Sequence, residues 1–223
     1  MEARYTKFWA DLGENKAREL CGREGVGYDQ SEAMAEKDHI ALTSTISLYD
    51  HLASRRNGPI LEVGCGTGRL LEQTARQFPF RQVFGCDICK AAIELACVRR
   101  NQTGLGNINL GLMSDPITPC LYNKGFYSNI YMFDVISAIP TMGILERLVM
   151  NLRYVLSHEG ILVTNVKLGQ PIRPYAQRGL RFDKIGDLLD VFKKCGFRSV
   201  SLGADTDETG NKTIVRLVAG DPR

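Results

Sequence analysis

The sequence predicts a doubly wound α/β fold, in which a mostly parallel sheet of seven strands ends in an antiparallel hairpin at one edge. Short apolar segments alternate with helix-like segments along most of the chain, which indicates a parallel sheet with helices on both faces. The last two apolar segments follow each other without a helix between them, which predicts the hairpin. The length of 223 residues suits one such domain with a small appendage.

The predicted elements begin after the Gly-Pro pair at residues 58–59, which marks a turn. Strands are predicted at residues 60–63, 82–86, 107–113, 126–132 and 159–167, followed by the segments "FRSVSLGA" and "KTIVRLVAG". Helices are predicted at residues 67–77, 89–101 and 183–195, with a helical stretch from the end of the fourth strand to about Leu156. Gly196 is expected to end the last helix, because glycine is favoured directly after a helix terminus.

The first part of the chain, residues 1–54, is predicted to be a separate helical segment before the main domain at residues 55–223. A helix is expected at residues 31–52, with Ser31 as its N-cap. The preceding residues include an aromatic group formed by Tyr5, Phe8, Trp9 and Tyr28.

Composition narrows the class of protein. An apolar content of 44% and a charged content of 24% are ordinary for a globular domain. The net charge of +3 permits an anionic partner without demanding one, and a dedicated nucleic-acid protein usually has a stronger basic bias. Seven cysteines without a regular framework indicate reduced thiols, and the charged N-terminus lacks the apolar core of a signal peptide. We therefore expect a cytoplasmic protein that does not enter a membrane.

A glycine-rich loop follows the first predicted strand in "PILEVGCGTGRLLEQ", residues 59–73. Gly64, Gly66 and Gly68 are spaced by two residues, and Arg69 stands where a nicotinamide-binding loop would need its third glycine. Glycines allow a sharp turn and let backbone N–H groups approach a ligand. The following helix directs its positive end at the same place, which favours a carboxylate or phosphate.

Two acidic residues accompany this loop. Glu62 lies within the first strand, where it would repel a pyrophosphate but attract an ammonium group. Asp87, about twenty residues further on at the end of the second strand, occupies the position at which an acid binds ribose hydroxyls. A ligand with an amino-acid end and a ribose fits S-adenosylmethionine.

The segments "ILEVGCGTGRLL" and "VFGCDICKAAIELA" closely resemble motifs I and II of class I S-adenosylmethionine-dependent methyltransferases. The resemblance continues through "INLGLMSDP", "GFYSNIYMFDVIS", "LRYVLSHEGILVT" and "FDKIGDLLDVFKKCGF", over about residues 55–218. It implies a Rossmann-like fold and S-adenosylmethionine as cofactor. In the family an N-terminal segment often covers the cofactor as a lid, and ordinary packing of a terminal helix is the alternative here. The chain departs from the family at "SHEGIL", where Lys/Arg-Pro-Gly-Gly is usual, and this change should affect only a turn.

The resemblance also assigns roles to individual residues. The methionine end would lie against Glu62 and the loop, the ribose against Asp87, and the adenine against Ile88 and one of two residues after the third strand. Two residues at the end of the fourth strand would border the methyl group. The full set is Glu62, Gly64, Cys65, Gly66, Gly68, Asp87, Ile88, Ser114, Asp115, Met132 and Phe133.

Asp134 lies just past the fourth predicted strand, where the methyl acceptor must be placed. Two interpretations stay open: a general base or acceptor-orienting carboxylate, or an N-cap of the following helix. The Asn/Asp-Pro-Pro-Tyr/Phe signature of adenine and amide N-methyltransferases is absent here. No metal site is expected, because Cys86 and Cys89 have no second cysteine pair and are interpreted as packing residues.

The acceptor is predicted to be a small molecule methylated on oxygen or nitrogen. The segment "KLGQPIRPYAQRGLRF" carries Lys167, Arg173, Arg178 and Arg181 around Tyr175, which suits an anionic acceptor unless it is simply a solvated loop. A peptide, a protein or a tRNA remains an alternative, since "MFDVISAIPTM" faintly resembles the tRNA 3-methylcytidine family. A protein that binds the cofactor without catalysis is a third.

Overall fold

The structure is a computed structural model and describes residues 7–21, 58–115, 123–167, 180, 182, 184–206 and 213–220. The strands are β1 (Ile60–Val63), β2 (Val83–Asp87), β3 (Ile108–Leu112), β4 (Tyr127–Met132), β5 (Leu156–Lys167), β6 (Ser199–Thr206) and β7 (Thr213–Gly220). The helices are α1 (Glu14–Cys21), α2 (Arg69–Gln77), α3 (Lys90–Thr103), α4 (Met142–Val155) and α5 (Ile185–Lys194), with a short 3₁₀ helix at Ile136–Ala138. The expected helix at residues 31–52 lies outside the described residues.

The strands form one sheet in the order β3-β2-β1-β4-β5-β7-β6. The first five pair in parallel, whereas β7 pairs antiparallel with both β5 and β6. The predicted Rossmann-like α/β fold is confirmed. The strand order reverses between β1 and β4, and ligands of such folds bind at the carboxyl ends of the strands beside this switch point.

Two apolar layers cover the sheet. Leu61 and Val63 of β1 belong to the layer formed with α4 and α5, whereas Ile60 belongs to the layer formed with α2. Every residue of β1, β2 and β4 is buried, as expected for central parallel strands covered on both faces. The charged residue Glu62 therefore lies inside the fold, on the α2 face.

The helical stretch predicted up to about Leu156 is divided into two helices in the structure. The chain forms the 3₁₀ helix, breaks at Pro140, and starts α4 at Met142. Proline lacks the N–H that a continuing helix needs. Thr141 then caps α4, because its side chain accepts a hydrogen bond from the backbone N–H of Ile144 at 3.3 Å.

A buried arginine ties together the amino ends of three strands, opposite the expected site. Arg81 is 3% exposed and donates to the carbonyl of Gly58 at 2.8 Å. It also donates to Ser128 Oγ at 2.6 Å and to Asn129 Oδ1. These bonds connect the chain before β1 and β2 with the start of β4, so Arg81 has a structural role.

The first helix, α1, packs beside the carboxyl end of β2. Ala17 of α1 is fully buried and shares a small apolar cluster with Cys89 and Ala92 at the start of α3. None of the helices in the described parts of the chain combines the length and apolarity needed to cross a bilayer.

Candidate active site

The glycine loop leaves β1 as a tight turn with three residues in the left-handed region. The φ angles of Gly64, Gly66 and Gly68 are 72°, 53° and 79°. L-amino acids adopt these φ angles only at a cost in free energy, so the turn depends on glycine. The N–H groups of Gly64 and Cys65 donate to the carbonyl of Cys86 at 2.8 and 3.0 Å, which fixes the loop to β2.

Two of these glycines also lie against other parts of the chain. A Cβ on Gly64 would come within 2.4 Å of Val135 Cγ2, and one on Gly68 within 3.1 Å of the Ala96 Cβ. Sequence reasoning assigned this space to a ligand. At Gly64, however, the space that a side chain would need is occupied by Val135, the residue that follows Asp134.

Thr67 supplies a polar group that sequence reasoning missed. Its side chain is 4% exposed, and its buried Oγ1 has no hydrogen-bond partner among the described residues. Thr67 directly precedes Gly68, the N-cap residue of α2, so its hydroxyl lies beside the positive end of that helix. A buried hydroxyl without a partner is unusual, and an anionic ligand group would satisfy it. The methionine carboxylate of S-adenosylmethionine fits this donor set.

Glu62 is held by a tyrosine from the neighbouring strand. It is 5% exposed and lies opposite Tyr131 in the register of β1 and β4. The Tyr131 hydroxyl donates to Glu62 Oε2 at 3.0 Å, and its oxygen lies 3.1 Å from Thr74 Oγ1. Burial, and then the charge of Glu62, raise the pKa of Tyr131 well above its usual value, so Tyr131 stays a hydrogen-bond donor.

Asp87 ends β2 and is 8% exposed. Its Oδ2 accepts from the N–H of Gly66 at 2.8 Å, and its Oδ1 accepts from the N–H of Cys89 at 2.8 Å. Burial raises the pKa of Asp87, while the hydrogen bonds from Cys89 and Gly66 oppose that rise. A carboxylate offers about four lone-pair sites, so acceptor capacity remains for ribose hydroxyls.

The remaining expected cofactor residues lie at the carboxyl ends of the adjacent strands. The N–H of Met113 donates to the carbonyl of Asp87 at 2.8 Å, which places residues 114–115 next to the end of β2. Ser114 Oγ donates to Asp115 Oδ2 at 3.3 Å, and Ile88 is half-buried. Met132 and Phe133 are buried at the end of β4. The fold thus brings these side chains to the same edge of the sheet as the glycine loop.

Asp134 has an unusual backbone conformation for a non-glycine residue, with a φ angle of 59°. Its N–H donates to Asn165 Oδ1 at 2.6 Å, and Asn165 Nδ2 donates to Asp134 Oδ1 at 3.3 Å. The N-cap position of the following 3₁₀ helix is Val135, which makes no side-chain capping bond. The 3₁₀ helix therefore begins one residue later than the capping interpretation of Asp134 expected. Sequence reasoning also missed Asn165, whose only signal is an amide inside the apolar strand "ILVTNVK".

Cys65, Cys86 and Cys89 are buried near the site, whereas Cys97 and Cys195 are half-buried. All five are thiols that are not joined in disulfides. Within the described ranges, no three histidine, cysteine, aspartate or glutamate residues are grouped so that they could hold a metal ion.

Residues 60–160 match the family model described as a methyltransferase domain. The matched segment, 101 of the 223 residues, is thus similar to a methyltransferase domain. The matched range runs from the start of β1 to the first half of β5, so it contains the glycine loop, Asp87 and Asp134. The matched segment therefore includes every residue expected to hold the cofactor.

A malonyl-[acyl-carrier protein] O-methyltransferase of Bacillus cereus is 35% identical over 77 residues. That alignment covers 34% of this chain and 28% of the relative, so the chain matches only a minor part of that protein.

Two solved methyltransferases resemble this chain in fold. The phosphoethanolamine N-methyltransferase 2 of Haemonchus contortus, solved with phosphomonomethylethanolamine and S-adenosylhomocysteine, has a TM-score of 0.61 at 15% identity. The match covers 78% of this chain and 52% of that one. A geranyl diphosphate methyltransferase, solved with its diphosphate ligand and sinefungin, has a TM-score of 0.63 at 15% identity, and covers 81% of this chain and 78% of that one.

Proposed function

We propose that the protein is an S-adenosylmethionine-dependent methyltransferase that methylates an oxygen or nitrogen atom of a small, anionic acceptor. The observation that carries the proposal is the hydrogen bond from Gly66 to Asp87. It joins the expected binding groups for the two ends of the donor, an amino acid and a nucleoside, at one edge of the sheet.

Each part of the donor has a chemically suitable partner. The methionine carboxylate would meet Thr67 Oγ1 and the start of α2, and the ammonium would lie toward Glu62. The ribose hydroxyls would donate to Asp87, and Ile88 with Ser114 or Asp115 would border the adenine. Met132 and Phe133 would line the methyl-bearing end. Cys65 contributes its backbone to the loop and its buried side chain to the packing beneath it.

The bound donor supplies a methyl group that its sulfonium has already activated. The protein then has to align the acceptor with that methyl group and exclude water. Asp134 is proposed as the residue that orients an acceptor O–H or N–H and takes up its proton where the acceptor must lose one. Its position directly after β4, next to Met132 and Phe133, supports this role.

Two lines of argument support an anionic acceptor. The names of the relatives and their ligands include a malonyl group, a phosphomonoester and a diphosphate, all of which carry negative charge. The segment between Lys167 and Arg181 is basic. Leu180, which belongs to this segment, lies at the acceptor side, because its N–H donates to the carbonyl of Ile139 at 2.7 Å.

The proposal extends to the organisation of the chain. Residues 1–54 would form a cap over the cofactor, which the packing of Ala17 against Cys89 and Ala92 supports, since Cys89 lies two residues after Asp87. Residues 55–223 would form the catalytic domain, with the antiparallel strands β6 and β7 completing a seven-stranded sheet. A cytoplasmic location agrees with the thiol form of the five described cysteines.

A macromolecular acceptor is the second candidate. It is favoured by the name of the Bacillus cereus relative, in which the malonyl group is attached to an acyl carrier protein. The two candidates differ in whether a free small molecule is enough for methyl transfer.

Calorimetry with S-adenosylhomocysteine tests the donor site, and a methyl-transfer screen with labelled S-adenosylmethionine tests the acceptor. The screen would contain phosphoethanolamine, isoprenyl diphosphates, malonyl thioesters, malonyl-loaded acyl carrier protein and unmodified tRNA. We expect micromolar binding and label in a free anionic acceptor.

A loop variant, Gly66→Ala, should lose binding because of its φ angle of 53°, whereas Gly106→Ala, which has open space, should keep it. Absence of binding by the wild-type protein would refute the proposal, and label found only in carrier protein or tRNA would favour the second candidate.

A further inference from the structure

Asp134 is the only non-glycine residue with a positive φ angle in the part of the chain that the structure describes. Such a conformation costs free energy at an L-residue and persists only where the surroundings impose it. Asp134 directly follows Phe133 at the end of the site strand β4. The strain therefore lies at the acceptor side of the proposed site.

Asn165 provides the constraint. It is 5% exposed, lies in β5, and uses both polar atoms of its amide on Asp134, one for the backbone N–H and one for the carboxylate. The β5 strand pairs with β4 on one side and β7 on the other, so the backbone of Asn165 is held within the sheet. An amide has both a donor and an acceptor, and this pair of bonds needs both.

The conformation of Asp134 determines where the next side chain goes. Val135 packs against Gly64, and a Cβ added to Gly64 would lie only 2.4 Å from Val135 Cγ2. Gly64 begins the loop that would hold the methionine end of the donor. A contact path therefore runs from Asn165 through Asp134 and Val135 to the donor loop.

We propose that Asn165 is a positioning residue for the donor site. Asn165 holds Asp134 in the left-handed conformation and thereby places Val135 against Gly64. Asn165 acts on the donor through these two residues and not by contact with it. The inference rests on the proposed function, because the ligand whose site is preorganised is S-adenosylmethionine.

The test is calorimetry with S-adenosylhomocysteine on Asn165→Ala and on the double variant Asn165→Ala/Asp134→Gly. We expect Asn165→Ala to bind about tenfold more weakly, because Asp134 relaxes from its strained conformation. Glycine adopts a positive φ angle without help, so the double variant should regain most of the lost affinity. A residue with a merely structural role would not be rescued by a glycine at a neighbouring position.

The matched control is Asn107→Ala, which removes a different amide at the amino end of β3, opposite the carboxyl ends of the strands where the site lies. Asn107 Nδ2 lies 3.1 and 3.2 Å from the carbonyls of Ala75 and Phe78, so its loss should lower the melting temperature without changing ligand affinity. If Asn165→Ala does not fold, Asn165→Asp serves in its place. Asn165→Asp still accepts from the Asp134 N–H but repels the Asp134 side chain, so the same loss is expected, and Asp134→Asn, which removes only the charge, must restore less affinity than Asp134→Gly.

The outcomes separate this inference from the proposed function. A wild-type protein that does not bind S-adenosylhomocysteine contradicts the proposed function. A wild-type protein that binds, together with a folded Asn165 variant of unchanged affinity, overturns the positioning role alone. A loss of affinity that Asp134→Gly does not restore also overturns it.

Discussion

The carboxylate of Asp87 accepts a hydrogen bond from the backbone N–H of Gly66 at 2.8 Å, across 21 residues of chain. Its second oxygen accepts from Cys89 at the start of α3. One side chain thus joins the glycine loop, the end of β2 and the next helix. The same group is the proposed partner of the ribose, so loop geometry and nucleoside binding depend on each other.

Replacing Asp87 by asparagine should weaken S-adenosylhomocysteine binding by roughly 10- to 100-fold, because hydrogen bonds to a charged group are worth about 1.5–3 kcal/mol. The NH₂ group of asparagine must also face one of two backbone N–H donors, Gly66 or Cys89. Calorimetry measures the change. Glu94→Gln, an exposed acid on α3, is the control, and equal affinity of both variants would contradict the role of Asp87.

The pH dependence of stability should carry the signature of Asp87. Its pKa is raised above 3.8 in the folded protein, so the folded state binds this proton more tightly than the unfolded chain. The resulting stability is fully present below pH 3.8 and is lost as the pH rises through the folded pKa. Urea unfolding of the wild type and Asp87→Asn at neutral and acidic pH should show the wild type gaining relative stability as the pH falls. The opposite trend would show that the pKa is lowered.

Tyr131→Phe should lower the free energy of unfolding by about 1–3 kcal/mol, because the buried carboxylate of Glu62 loses a hydrogen-bond donor. Urea denaturation provides the measurement. Tyr154→Phe makes the same chemical change on an α4 side chain that is 57% exposed, and it should have little effect. Similar losses in both variants would contradict the importance of the bond between Tyr131 and Glu62.

Gly85→Ala should be destabilising by about 1–3 kcal/mol, because a core without free space must shift to accept a methyl group. The added Cβ would lie 2.7 Å from Leu71 Cδ2 and 3.0 Å from Cys65 Sγ. Gly106→Ala, where no atom lies within 4 Å, is the matched control and should be nearly neutral. If Gly85→Ala unfolds at the same denaturant concentration as the control, the close packing of α2 on β2 is not as described.

Local patterns predicted the elements that position the site. The first strand at residues 60–63 has the predicted bounds, because Gly-Pro and the glycine loop enclose a short apolar segment. Asp87 was placed at the end of β2 because the apolar segment stops there. Three glycines spaced by two residues were sufficient to predict a tight turn, and all three have positive φ angles.

The parts that could not be predicted depend on contacts between distant segments. Asn165 meets Asp134 only because β4 and β5 are in a particular register, and Val135 meets Gly64 only when the chain after β4 turns back. Arginine is usually a surface residue, yet Arg81 is buried because oxygen atoms from two separate segments, at Gly58 and at the start of β4, accept its hydrogen bonds. Sequence periodicity contains none of these relationships.

The position of β7 has a consequence for how the protein is made. This strand is later in the chain than β6, yet it lies between β5 and β6 and pairs with both. During translation, residues 156–167 therefore have an open edge and residues 199–206 lack their neighbour until residues 213–220 leave the ribosome. A nascent chain that stalls before that point exposes an unpaired strand edge to other chains, so synthesis of the last segment is the step at which aggregation competes with completion of the sheet.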